Sequence, residues 1–284
     1  MRIAHITDLH VARPPAWGEY NVKRTFGWLN HLLFRRRRYR ESVAAAALHR
    51  LAERIPDLVI LTGDITQLGL DSEFAAAKRL LAIFGERHIP VVVVAGNHDV
   101  YGKSVPSCLS ELRRASARDI FSGSDGIIRF PGVELLPLAQ EIFTPPFFSY
   151  GRQDMDELIK ASSAWSKPAN KVMRLVCGHY PVIDAGGGRL RLFRGLRNAG
   201  ALIDFCREHQ VAGYFCGHNH KRFSVSMPGG CMQFAAPALS GRGGSRVSVY
   251  ECGPEHKYPL EIQTGVVELA GAVARFDPGR AGED

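Results

Sequence analysis

Five short blocks of Asp, His, Asn and Gly, each closing an apolar run, constrain this chain more than any other feature. They read Asp8-Leu9-His10, Gly63-Asp64, Gly96-Asn97-His98-Asp99, Gly178-His179 and Gly217-His218-Asn219-His220. The runs before them are Arg2 to Ile6, Leu58 to Leu61, Pro90 to Val94, Met173 to Val176 and Val211 to Phe215. Short, rich in Val and Ile, and followed by Gly or polar residues, they read as buried strands. Helical spacing lies between the early ones: Ala44, Ala47, Leu48, Leu51 and Ile55, then Phe74, Ala77, Leu80, Leu81 and Phe84 after a cap at Asp71 or Ser72. Strands alternating with helices imply an α/β chain with parallel pairing, and such sheets collect ligands at the carboxyl ends of their strands. The five blocks are therefore expected to meet in space.

What meets there is a set of oxygen and imidazole donors: Asp8, His10, Asp64, Asn97, His179, His218 and His220. No cysteine joins it, so a closed thiolate zinc site is disfavoured, and divalent Mn, Fe, Zn or Co fits better. These donors exceed the need of one four-coordinate ion. Two ions roughly 3.5–4 Å apart, sharing a carboxylate, would use them fully and would clamp both oxygens of a phosphoryl displacement. His5, His31, His49, His88, His209 and His256 show that the chain also uses histidine freely elsewhere. The case for a site thus rests on the set in its order, not on any one residue.

That order, Asp-x-His, Gly-Asp, Gly-Asn-His-Asp, His and Gly-His-x-His, resembles the calcineurin-like metallophosphoesterase family over roughly residues 1 to 250. The longer spacing Gly-Asp-x-x-x-x-Gly also holds, through Gly63, Asp64 and Gly69. The resemblance implies a four-layer αββα sandwich of the metallo-dependent phosphatase type. It implies that Asp8, His10, Asp64 and His220 hold one ion, and that Asp64, Asn97, His179 and His218 hold the other, with Asp64 as the bridge. A hydroxide between the ions would attack phosphorus. His98 would stabilise charge or protonate the leaving oxygen, with Asp99 orienting its ring.

A chain of 284 residues suits a single catalytic domain, here expected over 1–276 with a frayed tail at 277–284. Cys108, Cys177, Cys206, Cys216, Cys231 and Cys252 form no CxxC pair and read as reduced thiols. A first strand starting almost at Met1 leaves no room for a signal peptide, and no apolar run reaches the roughly 18–20 residues of a membrane span. A cytoplasmic protein is expected. After His220 the runs 222–227, 232–235, 246–251 and 260–268 read as antiparallel strands closing the second sheet.

Substrate choice must come from outside the metal blocks, and residues 13–40 are the most unusual segment. They carry eight basic residues against Glu19 alone, which accounts for seven of the chain's net eight positive charges. Val22, Phe26, Leu29 and Leu33 fall on one helical face, with Trp28 and Leu32 beside them, while Lys23, Gly27, Asn30 and His31 face away. Such a stretch suits contact with an anionic membrane surface, at the inner face, although a stripe of this kind usually docks on its own domain. Nucleic acid is disfavoured for want of a recognition fold. A second group, Arg189, Arg191, Arg194 and Arg197, is a candidate grip for a diphosphate.

Gly27-Trp28-Leu29-Asn30 and the following arginine run resemble the insert of enzymes that act on lipid-linked nucleotides, notably UDP-2,3-diacylglucosamine pyrophosphatases. His98 stands where the better-known form of those enzymes has arginine, so the resemblance is to a divergent form. The competing resemblance is to class III cyclic nucleotide phosphodiesterases, whose Asp-x-His, Gly-Asn-His-Asp and Gly-His-x-His blocks agree well but which give no reason for the insert. A metal-dependent scaffold without catalysis is the third reading, and it leaves His98 without purpose.

Overall fold

The computed structural model describes residues 1–36, 39–100, 112, 125–143, 150–165, 171–190, 195–241, 245–270 and 273–279. Strands β1 (Arg2–Ile6), β2 (Leu58–Leu61) and β3 (Val91–Val93) pair in parallel, as the alternation with helices requires. A second sheet runs in the order β10-β11-β9-β8-β5-β4, in which β5 (Val133–Pro137), β8 (Met173–Cys177), β9 (Gly213–Cys216) and β11 (Met232–Ala235) are parallel. Its antiparallel edges are β4 (Ile128–Phe130) and β10 (Phe223–Ser226). A small hairpin of β6 (Gln140–Phe143) and β7 (Tyr150–Gln153) stands apart from both sheets.

Period-two alternation builds the layers. From the first sheet, Ile3, Leu58, Ile60 and Val92 turn inward against Leu135, Leu175, Cys177 and Phe215 of the second. Their neighbours Ala4, Ile6, Val59 and Leu61 turn outward against α2 (Glu41–Glu53) and α3 (Asp71–Glu86). On the far face, Val176, Tyr214 and Cys216 pack against α4 (Met155–Ala164) and α5 (Ala199–Glu208). The result is the four-layer αββα sandwich.

Several local expectations need correction. The C-terminal strands β12 (Ser245–Glu251), β13 (Leu260–Ala270) and β14 (Val273–Gly279) extend the first sheet, not the second, because β12 pairs antiparallel with β1. Moreover, β11 is parallel to β9. The segment 277–284 begins inside a strand, since β14 pairs along β13 as far as Gly279 opposite Thr264. Neither Asp71 nor Ser72 caps α3: the N-cap is Leu70, and Glu73 reaches back to accept from the Leu70 and Leu68 N–H groups. Ile55 lies past the end of α2, exposed, with φ +48°. Cys177, Cys206, Cys216, Cys231 and Cys252 are buried as reduced thiols, while Cys108 falls outside the described residues.

The insert forms a helix, α1 (Val22–Asn30), started by the Asn21 side chain accepting from the Arg24 N–H, and continues as one π turn, His31–Arg35. Its orientation is inverted. The polar side docks on the domain: the Arg24 guanidinium donates to the carbonyls of Leu68, Gly69 and Glu19, and His31 is 6% exposed. The apolar side faces out, with Phe26 51%, Leu33 71% and Phe34 72% exposed. No helix among the described residues is long and apolar enough to cross a membrane.

Candidate metal centre

All five blocks sit at the carboxyl ends of β1, β2, β3, β8 and β9, so the site lies where the parallel strands of both sheets finish on one edge. The turns there are tight. Asp8, His10, Asp64, His218 and His220 all adopt positive φ, between 48° and 67°, a region that side chains with a Cβ rarely occupy outside over-determined sites. Gly63, at φ +93°, lets the β2 and β3 turns touch: a Cβ there would lie 2.6 Å from the Gly96 nitrogen and 2.7 Å from His179 Nδ1.

Two clusters result. Asp8, His10, Asp64 and His220 bring their ligand atoms within 4.8 Å of one another, as do Asp64, His179 and His218. Asn97 belongs with the second, its Oδ1 lying 3.2 Å from His179 Nε2 and 2.9 Å from His218 Nδ1. Asp64 is common to both.

The hydrogen bonds aim these atoms. His179 donates from Nδ1 to the Thr62 carbonyl at 2.7 Å, which leaves the Nε2 lone pair directed inward. Asp8 Oδ2 accepts from the Thr7 hydroxyl and the His218 N–H, whereas Asp8 Oδ1 is buried 3.0 Å from His220 Nε2. His10 Nε2 and His220 Nε2 face each other at 3.2 Å, both close to that oxygen. Against burial, the Asp8 carboxylate raises His220 above its ordinary value, and imidazole nitrogens gathered round a buried carboxylate oxygen suit a divalent cation. Charge agrees. Burial pushes His10 and His218 well below their ordinary values, so both rings are neutral. Burial and the neighbouring Asp8 and Asp99 push Asp64 well above the carboxylate range, so ionising it calls for positive charge nearby.

His98 is held differently from expectation. Its Nδ1 lies 2.7 Å from the Gln67 carbonyl, which fixes that atom as the donor, and Nε2 accepts from Arg35 Nη1 at 3.1 Å. Burial and the Arg35 cation push it down to about 3. Asp99 does not orient the ring. Its oxygens instead accept from the N–H groups of Gly96, Ile65 and Thr66 and from the Thr66 hydroxyl, locking the β2 and β3 turns together.

Two residues of the insert enter the site, Arg35 and Tyr39, and no periodicity or motif in the sequence points to either role. The Tyr39 hydroxyl lies 2.7 Å from His220 Nδ1, and its ring is 4.7 Å from that of His10. Two members of the second arginine group lie among the described residues. Arg197 lies 3.7 Å from the Tyr150 ring centroid, stacked over that ring, Arg189 is exposed in a turn opposite Ile183, and Arg191 and Arg194 fall outside the described residues.

The chain is 26% identical over 248 residues to a probable cyclic nucleotide phosphodiesterase of Synechococcus sp., covering 84% of each chain. Its fold matches a dimetal phosphatase from Danio rerio with a TM-score of 0.62 at 15% identity, over 93% of this chain and 94% of that one. The protein TT1561 of Thermus thermophilus matches with a TM-score of 0.55 at 12% identity, over 94% and 99%. The pattern of the calcineurin-like phosphoesterases matches residues 1–222. With that match over most of its length and two clusters suited to divalent ions, the chain belongs to the calcineurin-like phosphoesterase family of dimetal hydrolases.

Proposed function

We infer that the protein hydrolyses a phosphodiester or pyrophosphate bond of a lipid-linked nucleotide, such as UDP-2,3-diacylglucosamine, drawn from an anionic membrane surface. The observation that carries this reading is the inverted α1. Its apolar side is turned to solvent, while the same segment ends with Arg35 against His98. A soluble nucleotide gives no reason to expose Phe26, Leu33 and Phe34 beside the centre; an acyl-bearing one does.

Asp8, His10, Asp64 and His220 would hold one divalent cation, Mn, Fe or Zn, and Asp64, Asn97, His179 and His218 the other. Bound there, the pair supplies Lewis-acid polarisation of the phosphoryl oxygens and lowers the pKa of water. The chain's own groups do the positioning. Thr62 fixes the His179 tautomer, Thr7 holds Asp8, and Asp99 clamps the two turns. The Nδ1 proton of His98 is committed to Gln67, so proton delivery from Nε2 requires that His98 first take one up there.

Tyr39 orients His220 through Nδ1, and partners of this kind are worth about 10–100-fold in metal affinity. Tyr39→Phe is expected to weaken Mn binding by that order without unfolding the protein. Titration of metal-stripped protein with Mn checks this, and unchanged affinity would remove Tyr39 from the centre.

A second reading, a cyclic nucleotide phosphodiesterase, is favoured by the Synechococcus relative, whose name gives that activity. With Mn, the protein is expected to hydrolyse bis(p-nitrophenyl) phosphate and UDP-2,3-diacylglucosamine and to leave cyclic AMP largely intact. Faster turnover of cyclic AMP than of the lipid substrate would promote the second reading to first.

A further inference from the structure

The π turn at the end of α1 is closed by the Arg36 N–H donating to the His31 carbonyl at 2.7 Å. Such a turn adds a residue to the helical ladder, re-aims the side chains after it, and recurs at functional sites. Here Arg35 arrives 3.1 Å from His98 Nε2, and the His98 ring lies 4.9 Å, centroid to centroid, from that of His10. The guanidinium therefore stands at the edge of the donor clusters, half-buried and facing them.

Its present partners, the His98 lone pair and the Tyr39 ring 5.9 Å from its Cζ, are a poor match. An arginine only donates, and a neutral imidazole offers it a single lone pair, whereas a phosphoryl group offers two charged oxygens to the planar fork. Arg13, Arg129, Arg174 and Arg222 each have a carboxylate within ion-pair distance. Among the described residues, Arg35 has none. A half-buried cation aimed at a phosphoesterase centre without a carboxylate beside it suits a ligand that brings its own negative charge.

The geometry points to Arg35 as a catalytic residue: its guanidinium grips non-bridging phosphoryl oxygens of the substrate, exchanging His98 Nε2 for the better acceptor as substrate enters. Positive charge at that place stabilises the charge that builds on those oxygens in the displacement. The insert is then part of the catalytic centre for any phosphoester. This rests on the phosphoesterase activity alone and not on the lipid-linked substrate.

The test uses the full chain with Mn, bis(p-nitrophenyl) phosphate as substrate and inorganic phosphate as ligand. Arg35→Met is expected to lower kcat/KM on the order of 10²-fold and to weaken phosphate binding about tenfold or more, with Mn content and melting temperature at wild-type values. Arg35→Lys should recover part of both losses, and added guanidinium should partly restore Arg35→Ala, which a purely structural role would not allow. Wild-type turnover and phosphate affinity in Arg35→Met, or a loss that merely tracks loss of Mn, would overturn the assignment. Should the wild-type protein cleave no ester offered to it, the phosphate comparison decides alone, and equal affinity in Arg35→Met sinks the proposal.

Discussion

Asp64→Ala is expected to abolish binding of both metal ions together and to lower phosphodiester turnover on the order of 10³-fold or more. The reason is position. Asp64 contributes its carboxylate to both clusters, so its removal takes a negative ligand from two coordination spheres at once. It also loses the bond by which Oδ1 accepts from the His98 N–H at 2.8 Å, which fixes the start of the β3 turn. His218→Ala supplies the contrast, since that ring takes part in one cluster only and its loss should leave about one ion bound per chain. Metal analysis of the purified variants after dialysis decides the matter. Two ions retained in Asp64→Ala would dissolve the bridging assignment whatever the activity.

The range of each interaction decides how far the sequence alone reveals it. The donors were legible because each block is local: an apolar strand, a tight turn and a ligand lie within about ten residues, and the parallel α/β rule brings strand ends together. The sheet assignment of β12 to β14 was not, because alternation reveals a strand but not the edge it joins, and β12 could close either sheet until its pairing with β1 is known. The side that α1 turns to the domain stayed open for a related reason. The Val22, Phe26, Leu29 and Leu33 stripe defines an apolar face, but the side on which the domain lies is set by the Arg24 bonds to Leu68 and Gly69, some 45 positions away. The role that the resemblance implies for Asp99 does not hold, because its oxygens are taken by N–H groups of both the β2 and β3 turns and by the Thr66 hydroxyl. Arg35 and Tyr39 reach residues 63 and 181 positions distant, and nothing in their local sequence encodes that.

The outward face of α1 yields the other large effect. Phe26, Leu29 and Leu33 are about half or more exposed, beside Phe34 and next to the arginine run, and soluble monomers rarely leave so contiguous an apolar patch uncovered. If an anionic membrane covers it, moving each half-exposed side chain into the acyl boundary contributes on the order of 1 kcal/mol, so the triple variant Phe26→Ser, Leu29→Ser, Leu33→Ser forfeits roughly 3 kcal/mol. That corresponds to vesicle binding weaker by about 100-fold. Arginines near the surface add about 1 kcal/mol each, but salt screens them, whereas the apolar share persists. Wild-type binding to phosphatidylglycerol vesicles should therefore fall with ionic strength toward a residual level, and the triple variant should lose that residual level. Sedimentation with vesicles at low and high salt separates the two contributions, and unchanged Mn content and melting temperature show that the variant is folded. A wild-type protein that ignores anionic vesicles at low salt removes the membrane from the account, and the exposed face then points to a protein partner, with cyclic nucleotides as the first substrates to pursue.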